Sequence, residues 1–345
     1  MQITTIGLDI AKRIFQVHGA DATGRAILRR KLQRHDVLAF FKSVPACLVG
    51  IEACGTAHHW ARQIRALGHE VRLLPPAYVK PYVKRGKTDA ADAEAICEAI
   101  TRPSMQTVPV KSTEQQAMLT LHRVRDLLVR QRTMLINALR GHRAEFGIIA
   151  PQGARRVGEL VALLMGEDET VLPALARQAL RLLAAELHAL EQRITQAEDA
   201  IMAGHKQNEA SRRLAAIPGI GPITASAIVA TVGDAAQFRS ARHFAAWIGL
   251  VPKQNSSGGK QRQGGISKQG NPYLRRLLVI GATAVIRHAG GRLAATPSGA
   301  WAKTLLERRP ARLASVALAN KTARIAWALL TKGESYRGNA PAQPA

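Results

Sequence analysis

The chain is poor in acidic residues. Its 345 residues include 49 Lys or Arg but only 24 Asp or Glu, which gives a formal net charge of +25 at pH 7. A surface this basic repels itself unless a polyanion neutralises it. From residue 235 to the end there are 18 Lys or Arg and only two acids, Glu307 and Glu334. We therefore expect the last third to face nucleic acid, although charge alone also fits a ribosomal or chromatin-type binder without catalysis.

Cysteines and long apolar runs are also scarce. Cys47, Cys54 and Cys97 show no paired CxxC spacing, which argues against a zinc ribbon and against a disulfide framework. The longest apolar stretch, residues 277–286, is far shorter than the roughly 20 residues that cross a bilayer. The N-terminus lacks the basic and apolar regions of a secretion signal. We expect a soluble, cytoplasmic protein without membrane contact.

Residues 1 to about 100 alternate β-rich and helical segments in the order β-β-β-α-β-α-β. This order predicts a mixed sheet with helices packed on it, as in RNase H-like folds. The remainder has mainly helical patterns, so the fold class is α/β plus all-α. The predicted regions are an RNase H-like α/β domain at 1–110, a long-helix coiled-coil region at 111–210, a helical C-terminal domain at 211–332 and a disordered tail at 333–345.

Two long helices are predicted between the domains. The apolar residues of the second helix step by 4, 3, 4, 3 and 4, which is the seam of a coiled coil. That seam consists of Leu183, Leu187, Leu190, Ile194, Ala197 and Ile201. The first helix carries a predicted apolar stripe of Leu121, Val124, Leu128 and Leu135. The seam fits either an intramolecular helical hairpin or a dimer stalk.

The few acids of the N-terminal region stand at notable positions. Asp9 and Glu52 each end an apolar strand, in IGLDIAK and LVGIEACG, where an unpaired charge is costly. Asp89 and Asp92, in GKTDAADAEAI, are three residues apart and share one face of a predicted helix. If the two strands are neighbours, Asp9 and Glu52 lie side by side and the helix adds the other two.

Four converging carboxylates repel one another unless cations lie between them, and such oxygen ligands suit Mg²⁺ or Mn²⁺. Two ions of this kind can promote an in-line phosphodiester displacement. Structural explanations remain open, because Asp89 also fits the N-cap of its helix after Thr88. IGLDIAKR also resembles the first phosphate loop of actin-like kinases, but the further motifs of those enzymes are absent.

Two glycine-rich segments follow in the C-terminal region. LAAIPGIGPITASAIVATVG has the form of a helix-hairpin-helix element, whose turn at Gly219 and Gly221 could direct backbone N–H groups at a phosphate. The alternative is a plain core motif.

The second segment, VPKQNSSGGKQRQGGISKQGNPYLRR, is predicted to be a basic loop. Its cations offer charge-assisted phosphate contacts, and the alternative is a flexible solvated loop. The predicted nucleic-acid-binding side chains here are Lys253, Lys260, Arg262, Lys268, Arg275 and Arg276. A serine on such a loop can act as a nucleophile and form a phosphoserine link. Spacing alone does not choose among Ser256, Ser257 and Ser267.

Five segments together resemble the Piv/MooV-type DEDD transposases of bacterial insertion sequences. They are, in chain order, GLDIAK, GIEACGTAHHWAR, GKTDAADAEAI, IPGIGPITASAI and WIGLVPKQNSSGGKQRQGGISKQGN. The resemblance covers nearly the whole chain and implies a RuvC-like, RNase H-fold domain. Its metal-binding catalytic carboxylates would correspond to Asp9, Glu52, Asp89 and Asp92.

The resemblance further implies that Ser257 is the catalytic nucleophile, with the neighbouring Ser256 as the alternative. It implies a homo-oligomer, from dimer to tetramer, and a structured non-coding guide RNA that pairs with donor and target DNA. The expected function is therefore RNA-guided, metal-dependent DNA strand transfer by transesterification. The alternatives are a RuvC-like junction endonuclease that hydrolyses DNA with water and a non-catalytic nucleic-acid-binding protein.

Overall fold

A computed structural model of the chain describes residues 2–84, 86, 88–149, 153, 158–159, 161–162, 172–288 and 297–337. The chain divides into two compact units, Met1–Thr113 and Glu114–Ala345. The first unit is built on a mixed sheet and the second mainly on helices. The predicted α/β and all-α parts are therefore confirmed at this level, while a finer division at residue 210 stays a prediction.

The first unit contains a five-stranded sheet with the order β3-β2-β1-β4-β5. Its strands are β1 (Thr5–Ile10), β2 (Ile14–Ala20), β3 (Ala26–Gln33), β4 (Leu48–Glu52) and β5 (Glu70–Leu74). β1 runs antiparallel to β2 and parallel to β4. With α1 (Val37–Ser43) and α2 (Ala57–Arg65) between strands, the predicted element order is confirmed and is consistent with an RNase H-like fold.

The two faces of this sheet bury different helices. On one face, alternate residues such as Ile6, Leu8 and Ile51 are fully buried together with α2 residues including Trp60. The other face is covered by α4 (Asp89–Ile100), which follows α3 (Pro76–Val79) and a 3₁₀ turn at Lys80–Tyr82. Each fully buried aliphatic side chain contributes about 1.5–3 kcal/mol to folding, so the sheet is held rigidly between its helices.

The second unit begins with two long helices that form an antiparallel hairpin. They are α5 (Thr113–Ala144) and α6 (Ala174–Gln207). Near the start of α5, Met118 contacts Gly204 at the end of α6. Near the other end, Leu139 packs in one cluster with Leu180 and Leu187. The intramolecular hairpin is therefore the arrangement that this chain adopts.

The predicted seam of α6 lies inside this hairpin. Leu187, Leu190, Ile194 and Ile201 are at most 4% exposed within a single chain. The predicted stripe of α5 is wrong at Val124, which is 44% exposed. A heptad pattern identifies a buried stripe but not its partner.

The rest of the second unit packs around one apolar core. Its helices are α7 (Glu209–Ala215), α8 (Pro222–Val232), α9 (Ala241–Ile248), α10 (Pro272–Arg287), α11 (Pro297–Leu306) and α12 (Ala311–Lys332), with a 3₁₀ turn at Ala235–Gln237. Between α9 and α10 the chain forms an antiparallel ribbon of two strands, β6 (Pro252–Gln254) and β7 (Gln263–Ile266). The residue pattern predicted only a basic loop in this segment.

The predicted tail at 333–345 lies mostly outside the described residues. Within the described part of the chain, no helix combines the length and the apolar character that crossing a membrane requires.

Candidate active site

The carboxyl ends of β1 and β4 lie next to each other, which is the condition under which Asp9 and Glu52 were expected to lie side by side. The parallel register pairs Leu8 with Ile51. Asp9 and Glu52 each follow one member of this pair, so both occur at the same edge of the sheet. Asp9 is partly buried, and the backbone of Ile10 hydrogen-bonds to its carboxylate.

Helix α4 reaches this edge because β1 has no side chain at Gly7. A Cβ atom there would lie 2.1 Å from the Ala93 carbonyl oxygen and 2.5 Å from the Cys97 nitrogen. Gly50 on β4 likewise lets α4 pack closely on the sheet, since a Cβ at Gly50 would lie 2.9 Å from Ile100 Cδ1. Neither glycine was among the predicted site residues, although a glycine two residues before an Asp at the end of a strand is a usable signal.

Thr88 caps the N-terminus of α4. Its hydroxyl oxygen accepts a hydrogen bond from the backbone N–H of Ala91 at 3.2 Å. The proposal that Asp89 is the N-cap is therefore wrong, because Asp89 is the first residue inside the helix. Its side chain is exposed, as expected for a group that is free to bind a ligand.

Asp9, Asp89 and Asp92 form a cluster. Each can offer one carboxylate oxygen, and these three oxygens all lie within 4.8 Å of one another. Glu52 lies outside this group of three. It is nevertheless coupled to the cluster, because burial and then the charge of Asp92 raise the pKa of Glu52.

The electrostatics of the cluster favour a cation. Burial, followed by repulsion from Asp92, Asp89 and Glu52, raises the pKa of Asp9 to about 6. A bound cation would relieve this repulsion and favour the ionised form. Three hard oxygen donors at this spacing fit a divalent ion of the Mg²⁺ type.

Ser257 lies at the turn of the β6–β7 ribbon. Strand pairing joins Gln254 to Gln263 and continues to an isolated bridge between Ser257 and Lys260. Gly258 and Gly259 form the two-residue turn with φ values of +56° and +75°. Positive φ at both central residues is typical of a type I′ hairpin turn. Ser257 is exposed at the first position of this turn.

The other predicted phosphate-binding cations fall into two groups. Exposed side chains belong to Lys253, Lys260, Arg262 and Lys268. Arg275 instead donates to the carbonyl oxygens of Ile248 and Gln269, at 2.9 and 2.7 Å. Arg276 is exposed as well, but it pairs with Asp126 and lies over the ring of Tyr273, with 5.4 Å between the guanidinium carbon and the ring centroid. The described contacts of both arginines therefore lie within the protein.

The two glycines of the α7–α8 turn differ in their surroundings. Gly219, at φ +88°, packs on α10, where a Cβ at Gly281 would lie 1.8 Å from the Gly219 carbonyl oxygen. Gly221 directly precedes α8, and a Cβ there would meet no described atom within 4 Å. Close packing against α10 explains why residue 219 is a glycine. At Gly221 no described atom crowds the backbone, so the N-terminus of α8 is open there.

Comparisons with known proteins agree with this architecture, which is consistent with an RNase H-like enzyme of the DEDD type. The model of DEDD transposases of IS110 elements, described as "Transposase", matches residues 6–146. The model described as "Transposase IS116/IS110/IS902 family" matches residues 211–296. The two matches cover the carboxylate cluster and the serine ribbon, respectively.

Similar proteins extend over the whole chain. A "Probable family 20 transposase" of Pseudomonas aeruginosa is 53% identical over 98% of this chain and 99% of its own. The "Transposase for insertion sequence element IS1111A" of Coxiella burnetii is 42% identical over 97% of this chain and 92% of its own. The "Transposase for insertion sequence element IS1328" of Yersinia enterocolitica is 41% identical, over 97% and 98%.

The chain belongs to the IS110 family of insertion-sequence transposases. It is thus an enzyme of DNA transposition, and transposases bind DNA. A DEDD transposase domain implies a divalent metal in general terms. The residues present fit such a group, because Asp9, Asp89 and Asp92 converge, and burial together with repulsion from the neighbouring carboxylates raises the pKa of Asp9.

Proposed function

We propose that this transposase excises and inserts its element by metal-dependent transesterification, with Ser257 as the nucleophile. The observation that most supports the serine is its exposed position at a tight turn, on a ribbon that carries Lys260 and Arg262. Among the described residues its hydroxyl has no hydrogen-bond partner that would restrain it.

The carboxylates are proposed to hold Mg²⁺, or Mn²⁺, at the edge of the sheet. Asp9, Asp89 and Asp92 would supply oxygen ligands, and Glu52, whose pKa is raised by burial and by the charge of Asp92, would add a fourth carboxylate beside them. A bound divalent ion stabilises charge that develops on the phosphodiester oxygens. Asp9 is central to this set because its strand and α4 fix its position against both helical aspartates.

The serine step conserves the phosphodiester energy. The Ser257 oxygen forms a bond to phosphorus while the bond from phosphorus to one deoxyribose oxygen breaks. The serine hydroxyl loses its proton, and the departing sugar oxygen gains one. Attack by another sugar hydroxyl then reverses these changes and joins a new strand, so ATP is not needed.

The proposed partners are DNA and RNA. Lys253, Lys260, Arg262 and Lys268 are exposed, and the open N-terminus of α8 at Gly221 offers backbone N–H groups. A structured non-coding RNA is proposed to choose the sites by base pairing. Assembly of two to four copies is proposed as well, and the seam of α6 is not its basis because that seam is buried within one chain.

We propose three functional regions. Residues 1–110 form the catalytic α/β domain, residues 111–210 a helical spacer and residues 211–332 the domain that presents the serine. The antiparallel packing of α5 on α6 supports a stiff spacer. Cytoplasmic action on the host DNA follows from the proposed role.

The experiment is recovery of DNA that remains attached to the protein after denaturation. The gene is expressed in cells with its native flanking DNA, as wild type and as Ser257→Ala. Adducts in the wild type that vanish in Ser257→Ala are expected, while Ser256→Ala and Ser267→Ala keep them. DNA binding by Ser257→Ala should stay within about twofold of the wild type, since one small side chain is lost.

Two results would contradict the proposal. Full recombination by a variant that lacks both Ser256 and Ser257 would rule out the serine mechanism. DNA cutting without any protein-linked ends would favour the hydrolytic junction nuclease, which the carboxylate cluster could support with water alone. Chelation by EDTA should stop cutting, and Asp9→Ala should abolish recombination while DNA binding persists.

A further inference from the structure

The β6–β7 ribbon separates charged from uncharged side chains. In extended chains successive side chains project to opposite faces, and directly paired residues share a face. The pairing of Ser257 with Lys260 and the hydrogen bond from the Asn255 nitrogen to the Arg262 oxygen, 3.0 Å, define the register. One face therefore carries Lys253, Asn255, Ser257, Lys260 and Arg262. The other face carries Gln254, Ser256, Gln261 and Gln263.

All cations of the ribbon thus lie on the face of Ser257, and the opposite face has only amides and a hydroxyl. All of these side chains are exposed, so burial does not explain the segregation. If the charges served only to keep the loop solvated, they would be expected on both faces. A single polyanionic strand lying along one side of the ribbon would require this distribution.

The geometry across the ribbon favours joint action of Ser257 and Lys260. Directly opposed residues have Cβ atoms about 4.5–5.5 Å apart, and the next pair on the same face lies about 7 Å further along. A phosphate in contact with the Ser257 oxygen is then within reach of the Lys260 ammonium group. Arg262 is placed for a neighbouring phosphate of the same strand, or for a second contact to the first.

The base of the ribbon is anchored, so its faces have a fixed orientation within the second unit. The Ser267 nitrogen donates to the Val251 oxygen at 2.8 Å, and the Lys268 nitrogen donates to the Gly249 oxygen at 3.2 Å. Arg275 binds two carbonyl oxygens below the ribbon, as described above. In addition, the Asn320 side chain donates to the Leu250 oxygen at 3.0 Å.

We propose that the Ser257 face of the ribbon binds the scissile DNA strand, with Lys260 as the group that positions the phosphate for Ser257 and Arg262 as its second phosphate contact. This inference rests on the proposed serine mechanism and extends it. Ser256 shares its face with Gln261 and is directed away from the bound strand. The face of the ribbon therefore selects Ser257 over its neighbour.

The test exchanges the charge between the two faces without changing composition. The double variant Lys260→Gln/Gln261→Lys moves one cation from the Ser257 face to the amide face. The single variants Lys260→Gln and Gln261→Lys are its matched controls. Binding to a duplex taken from the flank of the element is measured for each purified protein over a series of salt concentrations.

Loss of one phosphate contact reduces the slope of log affinity against log salt by about 0.9. We expect this reduction in Lys260→Gln and equally in the double variant, and no change in Gln261→Lys. A wild-type slope in the double variant would overturn the assignment of the Ser257 face as the DNA-binding face, because a cation on either face would then contact a phosphate equally well.

Adduct recovery separates this inference from the function on which it rests. We expect adduct yield to fall at least about tenfold in Lys260→Gln and in the double variant, a change of about 1.4 kcal/mol in barrier. Adducts that persist in Ser257→Ala would refute the serine mechanism itself. Adducts that require Ser257 but appear at wild-type yield in the double variant would refute only the role of Lys260.

Discussion

Asp9 illustrates how a single site residue can work against folding. Its carboxylate is partly buried beside three other acids, and its pKa is raised to about 6. A raised pKa means that ionisation of the Asp9 carboxyl group is less favourable in the folded protein than in the unfolded chain. The resulting loss of stability develops as the pH rises from the ordinary aspartate value through 6, and it is absent below about pH 4.

We predict that Asp9→Asn stabilises the protein when no metal is bound. At pH 7 the free energy of unfolding should rise by about 2 kcal/mol, and the gain should vanish near pH 4. Urea unfolding of the EDTA-treated proteins at both pH values measures this. Added Mg²⁺ should stabilise the wild type but not the variant. An equal response of both proteins to Mg²⁺ would place the ion elsewhere.

His122 is the buried titratable residue at the junction of α5, α8 and α10. It is 1% exposed, and its ring nitrogens lie 3.1 Å from the Tyr273 hydroxyl and 3.0 Å from the Ser226 hydroxyl. Burial, and then the charge of Arg125, lower its pKa to about 4. The folded protein therefore keeps the imidazole neutral at pH values where the unfolded chain protonates it.

We predict that the second unit loses stability as the pH falls from 6.5 to 4, by up to about 3 kcal/mol from His122 alone. His122→Gln keeps an uncharged hydrogen-bonding side chain but cannot titrate in this range. Its unfolding free energy should be lower at pH 7 and should depend less on pH in that window. Parallel pH profiles for the two proteins would show that other groups dominate acid unfolding.

At the scale of elements, the contact between β1 and α4 builds the carboxylate cluster. Gly7 lets the helix backbone approach the strand, and Asp89 and Asp92 come to Asp9 as a result. All three aspartates were predictable from the sequence, because strand ends and helical spacing are local patterns. The distance between β1 and α4 was not predictable, since it depends on the close approach of the α4 backbone to Gly7.

We predict that Gly7→Ala separates α4 from the sheet. Overpacking of this kind costs about 1–3 kcal/mol, and the stabilisation by Mg²⁺ should be lost because the ligands no longer converge. Gly55→Ala is the control, because a Cβ at Gly55 would meet no described atom within 4 Å. Thermal unfolding with and without Mg²⁺ distinguishes them. Retention of the full Mg²⁺ effect in Gly7→Ala would mean that the cluster does not depend on this contact.

The ribbon depends on its turn in a different way. No described atom lies within 4 Å of a Cβ built at Gly258 or Gly259, so the requirement for glycine there is one of backbone conformation. Both residues have positive φ, which asparagine tolerates and β-branched residues avoid. The turn rather than packing therefore fixes the register of Ser257 with Lys260.

We predict that Gly258→Asn keeps the adduct yield near that of the wild type and that Gly258→Val lowers it about tenfold. A left-handed residue with a branched side chain costs about 1–2 kcal/mol, which depletes the formed turn. The midpoint of thermal unfolding should stay unchanged in both, because the turn is exposed. Equal adduct yields from the two variants would argue that turn geometry is irrelevant to the serine.

On the scale of the whole molecule, charge is distributed by region. Residues 114–234 carry 14 Lys or Arg and 13 Asp or Glu, whereas the rest of the second unit carries 18 and two. Residues 114–234, which include the long helical hairpin, are therefore nearly neutral as a whole, and the ribbon belongs to the strongly basic part. This agrees with the proposed role of residues 111–210 as a spacer that does not itself bind nucleic acid.

The division into two compact units predicts two thermal transitions. Mg²⁺ should raise the midpoint of only one, because ligand binding stabilises the unit that contains its site. Calorimetry of the full chain with Mg²⁺ and with EDTA measures this, and Gly7→Ala should lower the same transition. One transition that shifts as a whole would show that the units unfold together.

The sequence by itself determined the element order of the first unit, the carboxylates at the strand ends and the position of the long helices. These follow from residue spacing and local conformational preference, which a chain carries wherever it folds. Tertiary structure decided that the seam of α6 is buried against α5, that Thr88 rather than Asp89 caps α4 and that the basic loop is a ribbon with one charged face. Each of these depends on which segment lies opposite another, and that choice is made by packing and strand pairing between residues distant in the chain.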